Sequence, residues 1–224
     1  MAEIVIRNQE FLDRLNSISD EMLSTPDYDH KKHWTFHDED GIMAGTKYCE
    51  REYLDECLSS DKLIGAPVKY FGSPIAKMCK EDPEVWSDYK QRVKYDFAKE
   101  LGAHTSALLT YYAPGGYVGW HTNYDANAYQ ILFTWSDGNG FFRYLDNKTG
   151  EMVTIPDVKG WQCRHYYFGS DKEPENLCWH SAYAGGERIT LAYKFVNNGV
   201  ANGDAKDRSA QMMRDMLIEE IESE

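Results

Sequence analysis

Two histidines, an arginine and a threonine are the residues of this chain whose types and spacing point most directly to chemistry. His121 ends the run Tyr117-Val-Gly-Trp-His121, just where Thr122-Asn-Tyr-Asp125-Ala-Asn127 begins to read as a turn. His180 lies 59 residues further on, in Leu177-Cys-Trp-His180-Ser-Ala-Tyr183, a second strand-like run. One histidine in a strand is ordinarily a hydrogen-bonded core residue. Two neutral imidazoles converging inside a sheet make a seat for a transition metal, because imidazole suits iron, zinc and copper. Arg188-Ile-Thr190-Leu-Ala192 follows, and strand alternation puts Arg188, Thr190 and Ala192 on one face, with Ile189, Leu191 and Tyr193 on the other. A guanidinium with two parallel donors beside a hydroxyl forms a carboxylate site. That face can hold a dicarboxylic acid near a metal.

The elements that must position these residues change character near residue 104. Before it the pattern is mainly helical. Phe11, Leu12, Leu15 and Ile18 recur at three- and four-residue steps within 8–22, which predicts a helix with one buried face. Residues 47–58 read as helical, and a further helix runs from Pro83, a favoured first-turn residue, to Leu101, with Gly102 closing it. His30, His33 and His37 sit among charged and helix-breaking residues between 28 and 47, and a solvated loop is expected there rather than a metal site. Beyond residue 104 come short runs rich in aromatic and β-branched residues, at 107–112, 117–121, 129–135, 140–145, 151–155, 162–168, 178–183 and 188–196. Eight short strands with turns between them predict a closed or sandwiched antiparallel sheet. The expected organisation is one domain over 1–224, with helical support in 1–104, a catalytic core in 105–196 and an amphipathic helix in 203–224. Met212, Met213, Met216, Leu217 and Ile221 form that last helix's apolar set, packed on the domain or across a homodimer contact.

Composition narrows the classes of function. With 24 basic and 37 acidic residues the formal net charge is -13, which repels phosphate backbones and argues against nucleic acid as a partner. The first residues lack the charged start and apolar run of a secretory signal, and no segment is apolar enough to span a bilayer, so a cytoplasmic, soluble protein is expected. Cys49, Cys57, Cys79, Cys163 and Cys178 are odd in number and include no C-x-x-C pair, which predicts reduced thiols, mostly buried.

On these residues the chain resembles the iron(II)- and 2-oxoglutarate-dependent oxygenases, in which a His-x-Asp/Glu…His set binds iron and an Arg-x-Ser/Thr pair after the distal histidine binds the far carboxylate of 2-oxoglutarate. The prolyl-hydroxylase-like branch is the most similar, since Tyr112 and Gly115 match a tyrosine about nine residues before the first histidine and a glycine three after it. The resemblance covers about 105–196. It implies a mainly β fold with supporting α, a double-stranded β-helix of the jelly-roll or cupin-like kind, braced by N-terminal helices. It further implies Fe(II) as cofactor, held by His121 and His180, with 2-oxoglutarate and O2 as cosubstrates. Arg188 and Thr190 would hold the distal carboxylate, with Tyr112 as an extra donor. Hydroxylation of a C–H bond on a protein side chain, an amino acid or a small metabolite, with release of succinate and CO2, would be the activity.

The sequence departs from that pattern at one position. The residue two after the first histidine is Asn123, where the family has Asp or Glu. Asn123 can offer its amide oxygen. Asp125 can offer a carboxylate that offsets the metal charge, although a continuing strand would carry it roughly 13 Å from His121 at ~3.3 Å per residue, so a turn is required. The third possibility is a position left to water or an anion, which keeps a noncatalytic or halogenating variant of the fold open, beside another cupin-type metalloenzyme. Tyr124, Trp135, Arg143 and Trp179 are the expected substrate-pocket residues, with Tyr129 and Tyr167 as further wall candidates; His165 and His104 are expected to be structural.

Overall fold

The computed structural model describes residues 1–25, 35–36, 41–60, 65–123, 128–169, 173–195 and 208–224. His30, His33, His37, Tyr124 and Asp125 lie outside the described residues.

The chain opens with a short strand, β1 (Ala2–Ile4), and helix α1 (Gln9–Ser24). Asn8 caps α1, its Oδ1 accepting from the Phe11 N–H at 2.9 Å, and Phe11, Leu15, Ile18 and Met22 form the buried stripe. A two-residue strand, β2 (Thr35–Phe36), precedes a 3-10 turn at Lys47–Cys49 that leads into α2 (Arg51–Leu58). Next come β3 (Tyr70–Pro74) and α3 (Ile75–Glu81). The predicted helix from Pro83 consists of α4 (Pro83–Lys90) and α5 (Phe97–Glu100), joined through a π-helical stretch at Gln91–Asp96. Gly102, at φ +65°, ends it in the left-handed conformation that glycine tolerates.

The eight predicted strands are present, their ends shifted by a residue or two: β4 (Thr105–Tyr112), β5 (Tyr117–His121), β6 (Ala128–Ser136), β7 (Gly140–Leu145), β8 (Met152–Pro156), β9 (Gly160–Phe168), β10 (His180–Ala184) and β11 (Arg188–Phe195). Successive strands distribute between two facing antiparallel sheets. One has the order β1-β9-β6-β11-β4, the other β5-β10-β7-β8, and β3 pairs with both β4 and β5 to join them. This is the strand order of a double-stranded β-helix, with β1 added at one edge. Helices cover the outer face of the first sheet, where Phe133, Leu191 and Tyr193 pack against Phe11, Val93 and Phe97 from the helices. A second apolar cluster, including Tyr48, Leu54, Tyr117 and Trp120, lies on the outer face of the other sheet.

The last helix, α6 (Arg208–Glu222), corrects one expectation. Leu217 and Ile221 are buried as predicted, whereas Met212 and Met216 are 57% and 56% exposed. Ala210, Leu217 and Ile221 share one stripe; Met212 and Met216 fall about half a turn away, on the solvent side. Met212 and Met216 are therefore not part of the packed face, whereas Met213, 38% exposed, lies over Gly102. None of the described helices is long and apolar enough to cross a membrane.

Candidate active site

A cavity of about 200 Å³ lies between the two sheets. The even-numbered residues of β11, from Arg188 to Lys194, line one wall, with Leu108 and Tyr112 from β4 and Gln130 and Leu132 from β6. His121, His180 and Phe142 line the facing wall.

His121 reaches the cavity through an irregularity in β5. Val118 faces Ala182 and His121 faces His180, so three residue steps on β5 oppose two on β10. Strict alternation from Val118, which lines the cavity, would send His121 outward. The bulge reverses that parity. Trp120 turns out instead, into the cluster with Tyr48 and Leu54, where its indole N–H donates to the Glu50 carbonyl at 3.0 Å.

The two imidazoles stand with ring centroids 4.0 Å apart. Each places its Nδ1 within hydrogen-bond distance of a backbone carbonyl two residues earlier: Gly119 for His121, at 2.9 Å, and Cys178 for His180, at 3.0 Å. A carbonyl can only accept, so Nδ1 carries the proton in each ring, leaving Nε2 with the lone pair that a metal requires. Burial pushes His121 down to about 4, against the raising effect of the Gly119 and His180 backbone groups. His180 lies well below its ordinary value through burial first and then the neighbouring His121. Both are neutral at physiological pH. Among the described residues no third His, Cys, Asp or Glu joins them. Asn123 and Gln130 line the same cavity, each with an amide oxygen. Two lone-pair nitrogens on neighbouring buried rings fit a transition metal.

Arg188 begins β11, opposite Tyr112 on β4 and Ser136 on β6. Its Nη1 donates to Thr190 Oγ1 at 2.6 Å, and its guanidinium carbon sits 5.8 Å from the Tyr112 ring centroid. Its Nε donates to Asp157 Oδ2 at 2.9 Å, a pairing in which the two side chains are only 3% and 2% exposed. These bonds use two of the five N–H groups of the guanidinium and leave a fork on Nη1 and Nη2. Tyr70 and Tyr112 line the same cavity with ring centroids 6.0 Å apart, and the buried Tyr70, Tyr112 and Thr110 hydroxyls interact with one another. Burial raises the Tyr112 hydroxyl to about 12, with Arg188 acting in the opposite direction, so it remains a donor. A guanidinium with free N–H groups beside the Thr190 and Tyr112 side chains suits a ligand rich in acceptor oxygens, such as a carboxylate.

His121, His180, Asn123, Arg188, Thr190 and Tyr112 thus share one cavity. Trp135, Arg143 and Trp179 do not belong to it. Trp135 is on the outer face of β6, against the helical core. Arg143 points out of β7, donating to the Cys49 carbonyl and to Glu50, each at 2.7 Å. Trp179 is buried with the outer cluster of the second sheet. Strand parity decides the matter for Trp135 and Arg143, and residue type carries no trace of it, whereas Trp179 precedes β10. Tyr129 and Tyr167 face one another across β6 and β9, ring centroids 5.0 Å apart, and neither lines the cavity. His165, opposite Ile131, is on the outer face, and His104 is exposed before β4. Asp157 and Tyr70 are among the residues of the site that sequence reasoning missed, with Gln130 and Lys194 on the cavity wall. Asp157 follows β8 in a stretch that reads as an ordinary turn, and Tyr70 belongs to a strand interrupted by Gly72 and Pro74.

No protein-family model matches the sequence, and no curated protein matches it. Among solved structures, the chain is similar to OsALKBH1 at 14% identity and TM-score 0.31, covering 50% of this chain and 65% of that one. It is similar to an oxalate oxidase at 11% identity and TM-score 0.30, covering 53% and 61%. A Pseudomonas putida prolyl-4-hydroxylase overlaps at 14% identity and TM-score 0.31, covering 80% and 98%. The overlap with the first two spans less than two thirds of their own length. The architecture rests on the strand order rather than on these overlaps.

Proposed function

We propose that this chain is an Fe(II)- and 2-oxoglutarate-dependent oxygenase that hydroxylates a C–H bond of a protein side chain, an amino acid or a small metabolite. The observation that carries this reading is the meeting, in one cavity, of two neutral imidazoles with lone pairs on Nε2 and an arginine with free N–H groups beside Thr190 and Tyr112. His121 and His180 would hold the iron, with the third position taken by Asn123, by Asp125 or by neither. Arg188 and Thr190 would orient the far carboxylate of 2-oxoglutarate, and Tyr112 and Tyr70 would donate to it. When bound, iron and 2-oxoglutarate together supply the activation of O2, with succinate and CO2 as co-products. The apolar walls at Leu108, Leu132 and Phe142 would shed water once a ligand fills the cavity, and this strengthens each polar contact inside.

Anaerobic addition of Fe(II) and 2-oxoglutarate should produce the weak visible charge-transfer band of the chelate, and admission of air should yield succinate. Arg188→Ala should abolish 2-oxoglutarate binding and retain the metal. Absence of both band and succinate from the wild-type protein rejects the reading. A second reading, a binding module of the same fold without turnover, draws on Asn123 standing where an acid is expected. It predicts the band without succinate.

A further inference from the structure

The ion pair at the cavity floor supports an inference about how tightly an acid binds there. Arg188 is 3% exposed, and a guanidinium buried that deeply without a partner is strongly destabilising. Asp157 supplies the partner from outside the strand that carries Arg188. Its backbone N–H donates to the Gly140 carbonyl at 3.0 Å, which fixes the turn after β8. Gly140 also leaves the room, since a Cβ there would come within 2.7 Å of Asp157 Oδ2 and 2.6 Å of the Tyr183 carbonyl. Asp157 engages only Nε and Thr190 one N–H of Nη1, so three N–H groups on Nη1 and Nη2 are used by neither while Arg188 lines the cavity. The resting floor is therefore neutral as a pair and still able to donate.

We propose that Asp157 is a resident counter-ion that sets the affinity of the cavity for carboxylate ligands, by sharing Arg188 with them. An incoming carboxylate meets a guanidinium already compensated, and it meets the Asp157 charge as well. Its Coulombic gain is smaller than at a lone cation. The exchange keeps the ligand-free fold intact at the expense of tight binding. This inference rests on the reading that a carboxylate ligand docks at Arg188.

The distinguishing variant is Asp157→Asn, which keeps the shape and an acceptor oxygen and removes the charge. If Asp157 acts only as a scaffold for Arg188, the variant binds acids more weakly. If it acts as a competing counter-ion, the variant binds them more tightly although its ligand-free fold is weaker. The experiment titrates 2-oxoglutarate into Mn(II)-loaded protein by calorimetry, without O2 turnover, and follows thermal unfolding by circular dichroism. Wild type, Asp157→Asn, Arg188→Gln and the double variant are compared. Asp157→Asn should melt lower than wild type without ligand and bind 2-oxoglutarate roughly tenfold tighter or more. Saturating ligand should raise its Tm by more than it raises that of wild type. The double variant should regain most of the lost Tm, because both charges leave together, and should bind no 2-oxoglutarate. Should Asp157→Asn fail to fold alone, refolding in 2-oxoglutarate but not in equal ionic strength of sodium chloride supports the proposal. Failure in both solutions, while the double variant folds, overturns it. Equal or weaker binding by folded Asp157→Asn overturns it too, leaving the oxygenase reading in place. A wild-type protein that binds no 2-oxoglutarate removes both.

Discussion

His121 and His180 are held neutral by burial, and this has a measurable consequence in the metal-free protein. An unfolded histidine titrates near 6.5, whereas His121 in the fold titrates at about 4 and His180 well below its ordinary value. Between those limits the unfolded chain takes up protons that the folded chain refuses. Stability is therefore full above about pH 6.5 and is lost as pH falls from there through about 4, by up to about 1.4 kcal/mol per pH unit for each proton. The charged side chains lining the cavity among the described residues, Arg188 and Lys194, are both cations and do not favour protonation of the rings. Urea unfolding at pH 7, 6 and 5 should show this slope, and His121→Gln should flatten it. An identical pH dependence in that variant would mean that His121 is not the group responsible. Of these residues, the pair and Arg188 were legible from type and spacing. The partner of Arg188 was not, because Asp157 is 31 positions earlier in sequence and meets it only through the fold.

At the scale of elements, alternation made β11 readable in full: Arg188, Thr190 and Ala192 line the cavity, and Ile189, Leu191 and Tyr193 join the core. β5 is different, because its parity changes within five residues. The bulge that turns His121 inward passes through Gly119, whose carbonyl also accepts from the His121 ring. A Cβ on Gly119 would lie 3.0 Å from the Lys69 carbonyl and 3.2 Å from Tyr48 Cβ, so the close approach of β5 to its neighbours favours glycine. Gly119 inside Tyr117-Val-Gly-Trp-His121 is a signal that a bulge is possible there, but it does not say which way His121 turns, and the same blindness to facing misplaced Trp135 and Arg143. Gly119→Val should cost about 1–3 kcal/mol through overpacking. By moving the backbone that supports His121 it should also weaken Mn(II) or Zn(II) binding roughly 10- to 100-fold. His165→Ala, on the outer face, should leave metal affinity as it is. Calorimetric titration of the two variants decides the matter, and retention of full metal affinity by Gly119→Val would show that His121 does not depend on the bulge.

For the whole molecule, the first sheet serves two interiors at once. Its outer face seals the helical core that stabilises the fold, and its inner face lines the cavity. Neighbouring residues on β6 belong to different interiors: Phe133 is fully buried against Phe11 and Tyr193, with ring centroids 5.6 and 6.1 Å away, and Leu132 faces the cavity. Stability and ligand binding should therefore separate between adjacent positions. Phe133→Ala removes contacts from a close-packed core and should cost about 3–5 kcal/mol, with the affinity of the folded protein for 2-oxoglutarate unchanged. Leu132→Ala enlarges a space that is already open, so it should cost well under the low end of that range. It should weaken binding of the ligand in the cavity by roughly tenfold or more, as its apolar wall recedes. Urea unfolding and calorimetry on the two variants test this together. Equal stability losses would mean that the cavity is closed up as tightly as the core. Equal losses of affinity would mean that the two faces of the sheet are coupled, and that a ligand between the sheets is held by the packing of the whole molecule.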